Sequence, residues 1–307
     1  EAWLDRLLAG RLPREGRIAL SPMLSPKGRL MGDLTVLRLG PERFMIVGSG
    51  AAERFHLRWF EAHLPKSGVA VRPISTERPG FAIAGPRARE LLARVANEDL
   101  APDALPFFGV RRIDIGCAPA LLVRVSFTGE LGFEIYVDAA YELAVYDALV
   151  RAGEDLGLVH FGGRALNALR LEKSFGAWLR EYTPDYTPQQ AGLGRFIDFD
   201  KGDFVGREAA LRQRDEEPPY RLVTLVVDAA DADAFGDEPV LAEGRVAGFV
   251  TSGGYGHTVG ASIALAYVEP ACALPDAALA ITILGEGRPA RIAPQPLYDP
   301  SGARMRA

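Results

Sequence analysis

Two periodicities divide the chain. Apolar and polar residues alternate over residues 33–39 and 43–47, with Gly40 and Pro41 between them, which predicts a hairpin with one buried face. Over residues 51–64 the spacing turns helical and puts Leu57, Phe60 and Leu64 on one stripe. A second helix is predicted over residues 87–97, with Pro86 in its first turn, where a missing N–H costs nothing. Strands follow over 111–115, 121–126 and 132–137. Helices are then expected over 141–156, with Leu143, Tyr146, Leu149 and Val150 inward, and over 164–175, with Leu166, Leu169 and Phe175 inward. The Pro, Asp and Tyr cluster at 182–188 reads as a loop. Past the acidic stretch Asp215-Glu-Glu-Pro-Pro219 the texture changes to short β-rich runs (222–227, 245–250, 263–268, 279–284) broken by Gly and Asp. That pattern predicts a separate all-β domain behind a linker. The fold class is α+β.

Composition narrows the function classes. The 307 residues are 48% hydrophobic and 24% charged, which excludes intrinsic disorder, and suit about two domains of ~150 residues. A net charge of −5 argues against non-specific nucleic-acid binding. Cys117 and Cys272 are the only cysteines and no Cys-x-x-Cys occurs, so neither a zinc knuckle nor a disulfide framework is expected. Both thiols read as small core residues of a protein from a reducing compartment, the cytoplasm or, in a eukaryote, the mitochondrial matrix. No apolar run approaches the ~18 residues of a membrane span. The opening Glu1-Ala-Trp-Leu4 has neither an initiator Met nor a signal peptide, and reads as a piece of something longer.

Candidate chemistry is sparse. Val47-Gly48-Ser49-Gly50 sits between a predicted strand and helix, where a dinucleotide fingerprint would lie, but the third glycine is missing and residues 70–72 hold no acid. It reads as a tight turn. Gly253-Gly-Tyr-Gly-His-Thr-Val-Gly260 is read as a loop joining two strands, whose backbone approaches a ligand or another domain. The histidines, 56, 63, 160 and 257, share no ligand spacing, so no metal is expected, and Gly-x-Ser-x-Gly is absent. Two acids stand out. Asp33 opens a largely apolar strand, and Glu134 shares a face with Gly132 and Tyr136, opposite Phe133 and Ile135. If the latter pair faces the core, Glu134 points into water or a cleft; spacing alone makes it no more than a solvated acid.

Seven segments, in order, resemble the aminomethyltransferase (glycine-cleavage T-protein) family. They are Lys27-Gly-Arg-Leu-Met-Gly-Asp-Leu-Thr-Val36, Ala84-Gly-Pro-Arg-Ala88, Ser126-Phe-Thr-Gly-Glu-Leu-Gly-Phe-Glu-Ile-Tyr136, Asn167-Ala-Leu-Arg-Leu-Glu-Lys173, Thr187-Pro-Gln-Gln-Ala-Gly-Leu193, Asp203-Phe-Val-Gly-Arg207 and Thr251-Ser-Gly253. The wording Leu169-Arg-Leu-Glu-Lys-Ser-Phe-Gly-Ala-Trp178 is similar to the folate-binding half of dimethylglycine and sarcosine dehydrogenases. The resemblance implies a cloverleaf around a central hole that holds tetrahydrofolate. Its first domain would comprise residues 1–65 and 160–215 and lack an N-terminal stretch, its second 66–159, and its C-terminal β-barrel 216–307.

The same resemblance implies roles. Asp33 would stand beside the reacting folate nitrogens, Glu134 would hold the pterin edge, and Arg164 would be a polar partner. The Gly48 to Gly50 turn would lie close to the ligand. Phe127 stands where the T-proteins carry a Tyr, which removes a hydroxyl from the site. Trp178 and Tyr182 have two readings, stacking on the ligand or packing in the core, with packing favoured for Trp178. Tyr255 and His257 could edge the site from the barrel. Arg170 and Glu172 are expected in structural ion pairs with other elements. The implied activity is transfer of a one-carbon unit from a methylated glycine-type amine to tetrahydrofolate, giving 5,10-methylenetetrahydrofolate, coupled to a flavin dehydrogenase. FAD would lie on a partner domain or subunit, because these residues hold no flavin fingerprint. Two alternatives stay open. One is a folate-dependent demethylase that passes a methyl group; the other is a non-enzymatic folate-binding regulator, against which Asp203 stands where the iron–sulfur assembly homologues carry a Cys.

Overall fold

The computed structural model describes residues 1–307 and contains three antiparallel sheets. Helix α1 (Ala2–Leu7) leads into a three-stranded sheet of β1 (Ile18–Leu24), β2 (Leu30–Arg38) and β3 (Phe44–Val47), in that spatial order. Alternation on β2 decides its two faces. Leu34 and Val36 pack with Met23, the α1 leucines and Phe60 of α2 (Glu53–Ala62), whereas Leu37 turns the other way with Ile18.

A four-stranded sheet in the order β4-β7-β6-β5 comes next. It is built from β4 (Gly80–Ala84), β5 (Val110–Ile115), β6 (Ala118–Val123) and β7 (Gly132–Val137), with helices α3 (Ala88–Ala93) and α4 (Glu142–Gly153) on one face. Phe133, Ile135 and Val137 enter the core beneath those helices. The opposite face, bearing Leu121, Val123 and Tyr136, meets Ile18, Leu37, Met45 and Val47 of the first sheet. The two sheets therefore pack through one shared apolar cluster, and hydrophobic burial holds their inner faces together.

Beyond α5 (Gly163–Glu172) the chain returns to the first sheet. Lys201 Nζ donates to the carbonyls of Asp5, Leu8 and Gly10, and Leu30 N–H donates to the carbonyl of Tyr186. After α6 (Arg207–Asp215), six strands close a barrel: β8 (Arg221–Val227), β9 (Pro239–Ala242), β10 (Arg245–Gly256), β11 (Ala261–Val268), β12 (Leu279–Ile283) and β13 (Glu286–Ala293). Closure leaves no sheet edge exposed. The short α7 (Ala303–Arg306) ends the chain. A bulge between Val250 and Ser252 re-aims β10 so that Thr251 and Ser252 reach Glu181 and Arg170. No helix is long and apolar enough to cross a membrane.

Several expectations are corrected. Pro86 precedes α3 instead of sitting in its first turn, and α3 stops at Ala93. The inward stripe of α4 is Val145 and Leu149; Leu143 is 71% exposed and Tyr146 is also at the surface. On α5 the buried residues are Arg170, Leu171 and Glu172, and Phe175 lies past the helix end. Residues 253–256 belong to strand β10, so only the four residues between Gly256 and Ala261 form the connection. Cys117 is exposed and only Cys272 is buried.

Candidate functional site

Asp33 lies near the start of β2, on the same face as Leu37, across from Pro22 of β1. Proline has no N–H and an apolar ring, so it offers a carboxylate neither a donor nor a polar wall. The Oδ1 atom is buried and has no hydrogen-bond partner. Burial pushes the Asp33 carboxyl up to about 7, against the opposing pull of its own backbone N–H. Tyr182 is close enough that burial and then the Asp33 carboxyl raise its hydroxyl above the ordinary phenol range. An acid that titrates near neutrality suits proton transfer at that pH.

Glu134 projects from β7 on the face that meets the first sheet, flanked by Ala82 of β4 and Val123 of β6. Burial raises its pKa and the Tyr136 hydroxyl, which donates to Oε2 at 2.5 Å, works against that rise. The structure thus sets Asp33 and Glu134 on the inner faces of two sheets joined by the Leu37, Val123 and Tyr136 cluster. Two acids with environments that raise their pKa are matched to neutral or cationic ligand groups that donate hydrogen bonds.

The remaining candidates are spread out. Phe127 is half exposed and stacks on Phe175, with ring centroids 6.1 Å apart and an interplanar angle of 16°. Arg164 is exposed in the first turn of α5. Tyr255 is exposed on β10 and meets His257 edge-on at 5.2 Å. Trp178 is buried against Phe55 and His56, which is the packing reading.

Gly48 lies on the other side of the first sheet from Asp33. A Cβ there would come within 3.0 Å of Leu34 and 3.1 Å of the His56 ring. Gly48, Ser49 and Gly50 line a cavity of about 330 Å³ that also takes in Leu34, Phe44 and His56. This cavity is separate from the face that carries Asp33, so the structure does not bring the glycine turn together with the two acids.

The segment beside Asp33 is held by a buried polar node that the sequence did not reveal. Arg170 donates to Glu181 Oε2, the Ser252 hydroxyl and the Phe175 carbonyl at 2.8, 2.6 and 2.9 Å. Glu181 also accepts from Ala177 N–H and the Thr251 hydroxyl, at 2.8 and 2.7 Å, and is fully buried. Glu172 accepts from the Thr258 and Val259 N–H groups at 2.7 and 3.2 Å, tying α5 to the β10–β11 hairpin. Arg170 therefore makes the expected ion pair with another element, whereas Glu172 is tied to another element through backbone N–H groups and not through an ion pair. The partners Glu181, Ser252 and Thr258 lie 11, 82 and 86 residues away, beyond the reach of a helical pattern. For Tyr136, in contrast, a signal existed: period-two alternation places it on the Glu134 face.

Comparison with known proteins gives one pattern across the chain. Residues 1–201 match the GCVT N-terminal domain, and residues 221–299 match the glycine cleavage T-protein C-terminal barrel domain. The chain is 36% identical over 306 residues to mitochondrial dimethylglycine dehydrogenase of Homo sapiens, covering 99% of this chain and 35% of that protein. It is 33% identical over 283 residues to the aminomethyltransferase of Moorella thermoacetica, covering 92% of this chain and 76% of that enzyme. The crystal structure of glycine cleavage system aminomethyltransferase T from Bartonella henselae superposes with a TM-score of 0.86 at 24% identity, over 97% of this chain and 81% of that one. The chain spans about a third of the length of the dehydrogenases it matches.

Proposed function

The chain belongs to the glycine-cleavage T-protein (aminomethyltransferase) family, and on that footing we propose that it transfers a one-carbon unit from a methylated glycine-type amine to tetrahydrofolate, giving 5,10-methylenetetrahydrofolate. The observation that carries the reading is the buried Asp33 carboxyl with an unpartnered Oδ1, raised to about 7. A carboxylate deprived of protein donors is fitted to a ligand that brings its own. A reduced pterin presents a ring N–H and an exocyclic amino group side by side, and Glu134 faces the same inter-sheet region with Oε1 free of any protein hydrogen bond. The donor set thus suits the group.

When bound, tetrahydrofolate supplies the nitrogen nucleophile that takes up the carbon. Asp33 does the remaining work. An oxidised amine arrives as an iminium, and the ionised Asp33 carboxylate stabilises that positive charge where little water competes. The same oxygen accepts the proton that the attacking nitrogen must lose, which a carboxyl titrating near 7 does at neutral pH. Glu134 fixes the register of the ring, and the Arg170–Glu181 node holds the segment beside Asp33 in place. Similarity to dimethylglycine dehydrogenase supports an amine oxidised by a flavin-dependent body outside these residues.

The test is a titration with tetrahydrofolate followed by a transfer assay. Saturable binding by the wild type is expected. Asp33→Asn should keep its affinity within a few-fold and lose transfer by about 10²–10⁴-fold. Undiminished transfer by Asp33→Asn, or a wild type that binds no folate, refutes the proposal. A 5-methyl product would replace it with the demethylase reading.

A further inference from the structure

The geometry assigns Tyr136 as the residue that positions Glu134 for the pterin edge, by occupying one carboxylate oxygen and leaving the other to the ligand; this inference rests on the folate reading above. Tyr136 and Glu134 are two apart on β7, so both point to the inner face. The tyrosine ring is fixed from two sides. Across the strand pair it opposes Gly80, where a Cβ would come within 3.0 Å of the ring, so a glycine at that place on β4 lets the ring lie down along the strand. On its other side it packs into the cluster of Ile18, Leu37, Val110 and Val123. A ring walled in this way carries its hydroxyl at a set place, and the hydroxyl meets Glu134 Oε2 at 2.5 Å.

The consequence is chemical as well as geometric. Glu134 is flanked by Ala82 and Val123, neither of which can hydrogen-bond through its side chain. Tyr136 is therefore the one side chain bonded to the carboxylate. A hydrogen bond to the charged form favours that form, so the hydroxyl works against the rise that burial imposes on the Glu134 carboxyl. It also removes a rotational choice, since only Oε1 remains free, and a pre-set acceptor binds its ligand without an ordering cost.

Other charged groups do not take over this role. Gly80, Ala82 and Ala84 of β4 and Leu121 and Val123 of β6 carry no charge. Arg112 of β5 is on the same face, two strands away from β7 beyond Leu121, and exposed. From the first sheet, Ile18, Leu37, Met45 and Val47 are apolar and Asp33 is the acid on that face of β2. Burial and Tyr136 are the influences that act on Glu134.

The experiment measures tetrahydrofolate affinity of the wild type, Tyr136→Phe and Glu134→Gln as a function of pH, with thermal melts as a folding control. Tyr136→Phe keeps the ring and should melt close to the wild type. Its affinity should fall about tenfold at neutral pH, the loss of one hydrogen bond to a charged group. The acid limb of its binding curve should move to higher pH, because the carboxylate then takes up its proton sooner. Weakened binding by Glu134→Gln with an unchanged Tyr136→Phe, in both affinity and pH profile, overturns the assignment of Tyr136 alone. Unchanged binding by Glu134→Gln overturns the role given to Glu134 itself, and the inference with it.

Discussion

Two acids that both act on Tyr182, Glu181 on the returning segment and Asp33 on β2, are provisioned in opposite ways. Glu181 receives an arginine, a backbone N–H and a threonine hydroxyl, and its own carbonyl accepts from the Tyr267 hydroxyl at 2.8 Å. Asp33 has a buried oxygen to which nothing in the protein donates a hydrogen bond. Full satisfaction makes a carboxylate part of the architecture, because every donor around it is already committed. An unmet carboxylate is a cost in the free protein, and folding retains it only where the surroundings over-determine it, as at ligand sites. The contrast sets a carboxylate whose donors all come from the protein against one that the proposed reading leaves to a ligand.

Removing Glu181 should have the largest effect. Glu181→Ala strands the Arg170 guanidinium, which is 2% exposed, without its counter-charge. Breaking one side of a buried pair typically costs about 3–5 kcal/mol. Urea denaturation should show that loss, and a variant as stable as the wild type would break the comparison, since Glu181 would then be no more structural than Asp33.

Asp33 should behave in the reverse sense. Its folded carboxyl titrates near 7 and its unfolded one near the ordinary value of about 3.9, so the native state holds the proton over the interval between them. The native form binds more protons there, and stability therefore falls as pH rises from about 4 through 7. Asp33→Asn removes the titration, so it should gain on the wild type across that interval, by roughly 1–3 kcal/mol once water at the outer oxygen is allowed for. Denaturation curves at pH 5 and pH 8 measure it. Equal stability differences at both pH values would mean that Asp33 ionises as an ordinary surface acid.

The sequence disclosed the two halves of this contrast unequally. Strand 132–137 is legible to the residue, because Phe133, Ile135 and Val137 alternate cleanly against a polar face, and that face is where Glu134 and Tyr136 lie. Only resemblance singles out Asp33; nothing in its spacing separates it from a solvated acid. Its cross-strand neighbour is Pro22, eleven residues back on β1, and a proline inside a strand obscures that strand's pattern. The node around Glu181 was invisible for a different reason. Helical periodicity looks for an apolar stripe and found Leu166, Leu169 and Phe175, while the face that is buried carries Arg170, Leu171 and Glu172. Charged residues enter a core only with partners, and these come from Glu181 eleven residues on and from a β-bulge and a hairpin more than eighty residues on. On α4 the error was smaller: Leu149 belongs to the true stripe, and Val145, not Leu143, shares it.

Glu172 lies between the extremes and sharpens the comparison most finely. Its Oε1 accepts two backbone N–H groups, as a scaffold acid would, while its Oε2 is buried without a partner, as in Asp33. If satisfaction is what distinguishes the two classes, the two oxygens should be separable by substitution. Glu172→Gln keeps an acceptor for Thr258 and Val259 and replaces a carboxylate by a neutral amide. The weaker acceptor loses some bond strength, and the lost charge relieves the cost of burial, so the net change should stay below about 1 kcal/mol. Glu172→Ala removes the acceptor and leaves two N–H groups unpaired, at roughly 1–3 kcal/mol. Paired melts of the two variants read the difference directly. Equal losses would show that the hairpin depends on the charge of Glu172 and not on the pairing of its oxygen, and the sorting of buried acids by their donors would fail at this residue.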